Sequence, residues 1–159
     1  MRFLSVLLLA GLILGASISS AHAGKCYSQA EAEAEQGVRI HSELMVIGLN
    51  CQHMTPRGWK NFYSQYREFT NRHKDLFSSY ENTMISYLKR NGGNERKFHE
   101  IRTGFANKVS TDVAKMRPDV FCATFAPRIP KVAGMTRSEF QNWVASSAQT
   151  QPLTQSICR

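Results

Sequence analysis

The sequence lacks most of the short motifs that mark catalytic or metal centres. It contains no CxxC or CxxCH, no HExxH or other HxxxH pair, no GxSxG and no Walker A loop. These absences argue against a thioredoxin-type redox pair, a zinc knuckle, covalent haem, a helical zinc site and common hydrolase or P-loop chemistry. At 159 residues the chain is also too short for a (β/α)8 barrel, which needs roughly 250 residues. We therefore expect no cofactor and no metal, and an enzyme is the less favoured class.

Acidic residues are scarce. The chain has 12 Asp and Glu against 20 Lys and Arg, a formal charge of +8. The imbalance is local: residues 24–50 carry a net charge of −2, and residues 51–159 carry +9. Such a surface favours anionic partners, and nucleic acid is the usual inference for so basic a chain.

The N-terminus redirects that inference. Arg2 precedes an almost wholly apolar stretch, residues 3–18, and Ala21-His22-Ala23 supplies the small-x-small pattern of a cleavage site. We interpret residues 1–23 as a signal peptide and residues 24–159 as a single domain, in a periplasmic or secreted protein. A membrane anchor is the weaker alternative because the apolar stretch is short, so we expect no transmembrane span after cleavage. Export argues against nucleic acid as the main partner.

The sequence lacks an alternating strand pattern longer than four residues, which predicts an all-α fold. Helical spacing predicts helices over about 28–50 and 57–90, the second bent near 70–71, with an aromatic ladder at 59, 62, 63, 66 and 69 in the core. A few residues, 91–94, link it to a further helix that Pro118 ends. We expect a short helical turn at 121–125, irregular chain around Pro127 and Pro130, a short helix that the capping box at Thr136 opens, and an irregular tail over 149–159. The result is a small antiparallel bundle with one long helical hairpin, stapled by disulfides.

Four cysteines lie far apart in the chain: Cys26, Cys51, Cys122 and Cys158. An even number in an exported protein predicts two disulfides, for which three connectivities are possible. The helix order favours Cys51–Cys122, because the hairpin carries the chain away from the end of the first helix and back. The last helix would then return Cys158 to Cys26. Non-reducing peptide mapping would decide between the three.

One polar row stands out on the helix after residue 94. His99, Thr103, Asn107 and Ser110 share one side of it, and Gly104 leaves space nearby. We interpret the row either as a polar groove that contacts a ligand or as a set of buried hydrogen bonds to a neighbouring helix.

Basic residues cluster at the tip of the predicted hairpin: Lys89, Arg90, Arg96 and Lys97. We expect this cluster to meet an anionic envelope component, since lipid headgroups and polysaccharide phosphates carry the complementary charge. The favoured function is therefore an exported, non-enzymatic binding or envelope-associated protein with a basic surface. A chaperone-like or inhibitor protein that binds another envelope protein is the alternative, and exposed apolar surface would favour it. A small secreted hydrolase is the third; it requires the polar row, or His41 and His73, to line a cleft.

Three short patterns also resemble a known group. They are Glu43-Leu44-Met45 to Leu49-Asn50-Cys51, Thr103-x-x-Ala106-Asn107-x-x-Ser110, and Phe121-Cys122. Together they look like a group of small exported helical proteins of Gram-negative bacteria that has no assigned activity. The resemblance implies an exported location and a Cys51–Cys122 pair, and it carries over no catalytic or binding role.

Overall fold

The computed structural model describes residues 25–158, which form a helical domain. The predicted signal peptide, residues 1–23, lies outside the described residues. The α helices are α1 Gln29–Cys51, α2 Phe62–Arg72, α3 Lys74–Arg90, α4 Glu95–Lys115, α5 Pro118–Phe125, α6 Arg128–Ala133 and α7 Arg137–Thr150; a 3₁₀ helix, Gln52–Met54, follows α1. Within 25–158 there is no strand, so the predicted fold class is confirmed.

The first helix, α1, is the centre of the bundle. It contacts all six other α helices, and most of its residues from Glu31 to Cys51 are buried. The predicted capping box opens it: the backbone N–H of Glu31 donates to Ser28 Oγ, and the backbone N–H of Ser28 donates to the Glu31 carboxylate. The other six α helices therefore pack around α1, which sets their positions in the bundle.

The predicted helix over 57–90 is wrong at its start and is broken in the middle. Trp59 N–H donates to the Pro56 carbonyl, closing a turn in which Gly58 has φ +84°, and Asn61 then caps α2. Trp59 is consequently 58% exposed and does not belong to the core ladder. The break between α2 and α3 falls at His73, three residues after the start of the predicted bend.

The hairpin of α3 and α4 forms as predicted. Gly92 takes the left-handed conformation at φ +80°, and the Gly93 N–H donates to the Leu88 carbonyl at 2.8 Å, which is a Schellman ending. Asn94 Oδ1 then accepts from the Lys97 backbone N–H and caps α4. The two arms pack against each other and against α1.

Two C-terminal predictions need correction. The stretch around Pro127 and Pro130 is not irregular, since residues 128–133 form α6. Pro130 is tolerated because it is the third residue of α6, where a backbone N–H would have no partner within the helix. Helix α7 starts at the predicted capping box of Thr136 and Glu139 but extends to Thr150, so the irregular tail begins at Gln151.

The two disulfides lie at opposite ends of α1. Cys26 is bonded to Cys158 at the start of α1, and Cys51 to Cys122 at its end. These are the pairs that the helix order favours. We call the end of the bundle formed by residues 49–62 and 115–131 the Cys51 pole.

Candidate functional site

The polar row on α4 faces solvent. His99, Thr103, Asn107 and Ser110 are all exposed, and Ser110 Oγ donates only to the Ala106 carbonyl of its own helix, at 3.1 Å. The buried hydrogen-bond network considered for this row is therefore wrong. None of the four residues lines the cavities described below, so the structure does not bring them together as an enclosed site.

Two carboxylates pair with three of the four cations at the hairpin tip. Arg90 is paired with Glu31, and Lys97 and Arg96 lie 3.1 Å and 3.9 Å from Glu100. Burial alone would raise the pKa of Glu31, but hydrogen bonds from Ser28 and Arg90 outweigh it and hold that pKa below its usual range.

At the tip, only Lys89 of the predicted set has no ion pair among the described residues. A shallow polar cleft of about 470 Å³ lies beside it, lined by Lys25, Arg96, Lys97 and Glu100 among others. The tip is thus a surface of mixed charge rather than a concentrated cationic patch.

The Cys51 pole holds an apolar groove that the sequence did not reveal. Its volume is about 390 Å³, which falls within the roughly 300–1,000 Å³ of small-ligand sites. Asp119 is its only ionisable lining residue. The lining is Met54, Pro56, Trp59, Phe62, Asp119, Cys122, Ala123, Ala126, Pro127 and Pro130. We call this feature the apolar groove.

Apolar side chains are exposed at the groove and elsewhere on the same pole. Four large apolar side chains are exposed within residues 25–158: Leu49, Met54, Trp59 and Val120. All four belong to the residue ranges of the Cys51 pole, and Met54 and Trp59 line the groove itself. Single exposed apolar residues are normal on a protein surface, but exposed apolar side chains that line a groove mark a candidate binding surface.

Local structure fixes the walls of the groove. Thr55 Oγ1 donates to the Gln52 carbonyl and accepts from the Phe62 N–H at 3.1 Å each, while Asn61 Nδ2 donates to the same carbonyl at 2.8 Å. The Cys51–Cys122 disulfide ties this loop region to α5. These bonds and the disulfide fix the backbone of the groove walls, on which the exposed side chains of Met54 and Trp59 complete the lining.

Positive charge surrounds the groove. The Cys51 pole contains six Lys and Arg and one acid, Asp119. Arg117 binds both carboxylate oxygens of Asp119, at 3.2 Å and 2.8 Å, so the one acid is neutralised. Lys60 and Arg128 have carboxylate partners from outside the pole, Glu68 and Glu43. The cations without an ion pair among the described residues are Arg57, Lys115 and Lys131.

A buried carboxylate holds the C-terminal tail. Glu35 is 0% exposed and accepts from the Tyr27 hydroxyl and the Arg39 guanidinium, at 2.8 Å each, and from the backbone and hydroxyl of Thr154. Burial is the main reason that the pKa of Tyr27 is raised far above its ordinary value. The hydrogen bonds from Tyr27 and Thr154 join the start of α1 and the C-terminal tail through this one carboxylate. We call this arrangement the Glu35 latch and assign it a structural role.

A polar cleft of about 340 Å³ lies next to this latch. It is lined by Gln36, Arg39, Ile40, Glu43, Arg128, Trp143, Ser147 and Gln151. Both arginines in it are already paired, Arg39 with Glu35 and Arg128 with Glu43.

His41 and His73 pack against core side chains, His73 buried and His41 half-buried. His41 Nε2 is 2.8 Å from the Tyr66 hydroxyl, and its ring stacks on Phe77. Burial, with a smaller effect of Arg102, lowers the pKa of His41 to about 4. Burial also lowers the pKa of His73, which packs on Phe69. Neither histidine lines a cavity described here, so these shifts arise from packing.

Residues 25–158 contain no group of three or more His, Cys, Asp and Glu that could hold a metal ion. Nor does any helix in that range combine the length and apolar character needed to cross a membrane. Comparison with protein-family models, curated proteins and solved structures finds no match to this chain.

Proposed function

We propose that this is an exported, non-enzymatic binding protein that associates with an anionic envelope surface through the Cys51 pole. The observation that carries the proposal is the coincidence of exposed apolar side chains and unpaired cations at one end of the bundle. Two disulfides accord with export, because such bonds persist in oxidising compartments.

Two contributions of similar size would favour association of the Cys51 pole with such a surface. Each Lys or Arg near an anionic lipid surface contributes about 1 kcal/mol, and full burial of a large apolar side chain contributes about 1.5–3 kcal/mol. A tryptophan suits such a boundary, since its ring is apolar and its indole N–H can remain in contact with polar groups. Trp59 follows Arg57 by two residues in the same turn, so the loop presents both kinds of contact together.

This places the site away from the predicted hairpin tip. Three of the four tip cations have carboxylate partners, and no large apolar side chain is exposed beside them among the described residues. We expect the tip to contribute long-range attraction and the Cys51 pole to make the contact.

The alternative is a chaperone-like or inhibitor protein that binds an apolar segment of another envelope protein. The exposed apolar surface around Trp59 and Met54 favours this protein-binding hypothesis over the hypothesis of a secreted hydrolase. It differs from the main proposal in one measurable respect: binding would not depend on anionic lipid.

Vesicle flotation tests the main proposal. We expect mature protein to float with phosphatidylglycerol vesicles and not with phosphatidylcholine vesicles, and salt to weaken the binding. Arg57→Ser with Lys115→Ser should weaken it at least tenfold, because two cations near the surface are lost. The matched control, Lys89→Ser with Lys108→Ser, removes the same charge from exposed sites outside the pole and should have a smaller effect.

Absence of binding to anionic vesicles at low salt would overturn the proposal. An equal loss in the control pair would show that net charge alone drives binding and would remove the Cys51 pole from it.

A further inference from the structure

We infer that the apolar groove binds the hydrocarbon chain of a single-chain anionic amphiphile of the fatty-acid type, with its charged end on the cations of the Cys51 pole. The inference rests on the proposed function for the position of the anionic contact. It goes further in assigning a discrete ligand, bound one to a site, to the groove itself.

The lining decides what kind of group can enter. Three prolines, Pro56, Pro127 and Pro130, contribute no backbone N–H, and the remaining lining is mostly carbon and sulfur. The helical segments of the lining bond their backbones internally, so there is no strand edge on which a peptide could pair. An extended peptide would leave its own N–H and C=O groups unbonded in this groove, at a cost of about 1–3 kcal/mol per group, and only a helical segment, which bonds its backbone internally, would avoid that cost. A hydrocarbon chain has no such groups.

The charge around the groove determines which head group the ligand would carry. Asp119 could attract a cation, but Arg117 occupies both of its oxygens. Arg57 is exposed at the turn that carries Trp59, and Lys115 precedes α5, whose Cys122 and Ala123 line the groove. No ion pair binds either cation among the described residues, so both are available to a carboxylate.

The backbone of the groove walls is preorganised. Hydrogen bonds of Thr55 and Asn61 fix one wall, and the disulfide fixes the position of α5 opposite it. Preorganised walls reduce the entropy cost of binding, which favours a defined ligand over loose adsorption.

Calorimetric titration with dodecanoate below its micelle concentration tests the inference on the disulfide-intact mature protein. We expect saturation at one ligand per chain, and no saturable binding of dodecyltrimethylammonium, which has the same chain and the opposite charge. Ala123→Phe fills the groove and should lower the affinity for dodecanoate at least tenfold. Ala30→Phe, at an exposed site in the first turn of α1, is the matched control and should leave binding unchanged.

Vesicle flotation of the same variants separates this inference from the proposed function. If Ala123→Phe loses dodecanoate but still floats with anionic vesicles, the groove is a discrete ligand site and both proposals hold. If wild type floats but dodecanoate does not saturate, or Ala123→Phe leaves its affinity unchanged, this inference is wrong while the proposed function stands. If dodecanoate saturates at one per chain but nothing floats, the proposed function is the one that fails. Concentration-dependent dimerisation that Ala123→Phe abolishes would assign the groove to a second copy and overturn the inference.

Discussion

At the residue scale, His41 couples the packing of the core to pH. Its pKa of about 4 in the fold lies below the 6.5 of an exposed histidine. The unfolded chain therefore takes up a proton first as the pH falls, and stability is lost between about pH 6.5 and 4. The lowered pKa of His73 acts with the same sign.

We expect His41 to account for about 2 kcal/mol of the stability lost between pH 7 and pH 5. Most Asp and Glu in the unfolded chain titrate near pH 4, so this window isolates the histidines. His41→Gln preserves a side chain that can hydrogen-bond Tyr66 and removes the titration, so urea unfolding of this variant should show a shallower loss. An unchanged slope would mean that His41 does not supply the pH dependence.

Trp59 shows where sequence reasoning fails for single residues. It continues the three- and four-residue spacing of Phe62, Tyr66 and Phe69, all of which are buried. The spacing of the apolar residues alone could not show that Trp59 lies outside the core. Asn61 caps the start of α2 at Phe62, so Trp59 lies before the helix, in the turn that contains Gly58, and the polar groups that form this turn do not change the spacing of the apolar residues.

At the element scale, the packing of α1 against α3 depends on a glycine. A Cβ built on Gly37 would lie 2.3 Å from Tyr80 Cδ2 and within 3 Å of two further ring atoms. Tyr80 is a buried residue of α3, so its ring has little room to move. The close approach of the two helices therefore requires that Gly37 carry no side chain.

Gly37→Ala should destabilise the protein by about 1–3 kcal/mol through overpacking, despite alanine's better helix propensity. Gly104→Ala is the matched control: it lies within α4, and nothing occupies the space around an added Cβ. It should stabilise by about 0.5–1 kcal/mol. Thermal or urea unfolding measures both. If Gly37→Ala stabilised as much as Gly104→Ala, the α1–α3 contact would be looser than described.

The elements themselves were predictable where their signals were local. Capping boxes at Ser28 and Thr136 predicted the starts of α1 and α7, and the Asn-Gly-Gly-Asn link predicted the end of α3 and the start of α4, four helix boundaries in all. The break at His73 was misplaced because the apolar spacing continues across it. The groove was missed for a different reason: its lining comes from residues 54–62 and 119–130, which lie far apart in the sequence and meet through the packing of α2 on α6 and through a disulfide.

At the scale of the whole molecule, two cross-links hold both ends of the central helix. Cys51–Cys122 spans 71 residues of sequence and Cys26–Cys158 spans 132. Loops of these lengths give about 4–5 kcal/mol of stabilisation each on the chain-entropy model, with little difference between them because the dependence on length is logarithmic. The two bonds differ in their surroundings. The Cys26–Cys158 end is also held by the Glu35 latch and by backbone bonds of Tyr27 to Ser156 and Cys158, at 2.8 Å each.

This difference predicts unequal effects on local structure. Replacing Cys51 and Cys122 with alanine should lower the free energy of unfolding by about 4 kcal/mol and weaken dodecanoate binding, since that bond positions a wall of the groove. Replacing Cys26 and Cys158 should cost a similar amount globally while leaving the groove intact, so dodecanoate affinity should stay within twofold of wild type. Global stability is measured by urea unfolding under non-reducing conditions, the local stability of the tail by hydrogen exchange over residues 151–158, and the state of the groove by the calorimetric titration.

A loss of unfolding free energy below 1 kcal/mol for the Cys26–Cys158 variant would show that the tail unfolds separately from the bundle. Faster exchange of the tail on adding Glu35→Gln to that variant would identify the buried carboxylate as what still holds the tail once the disulfide is gone.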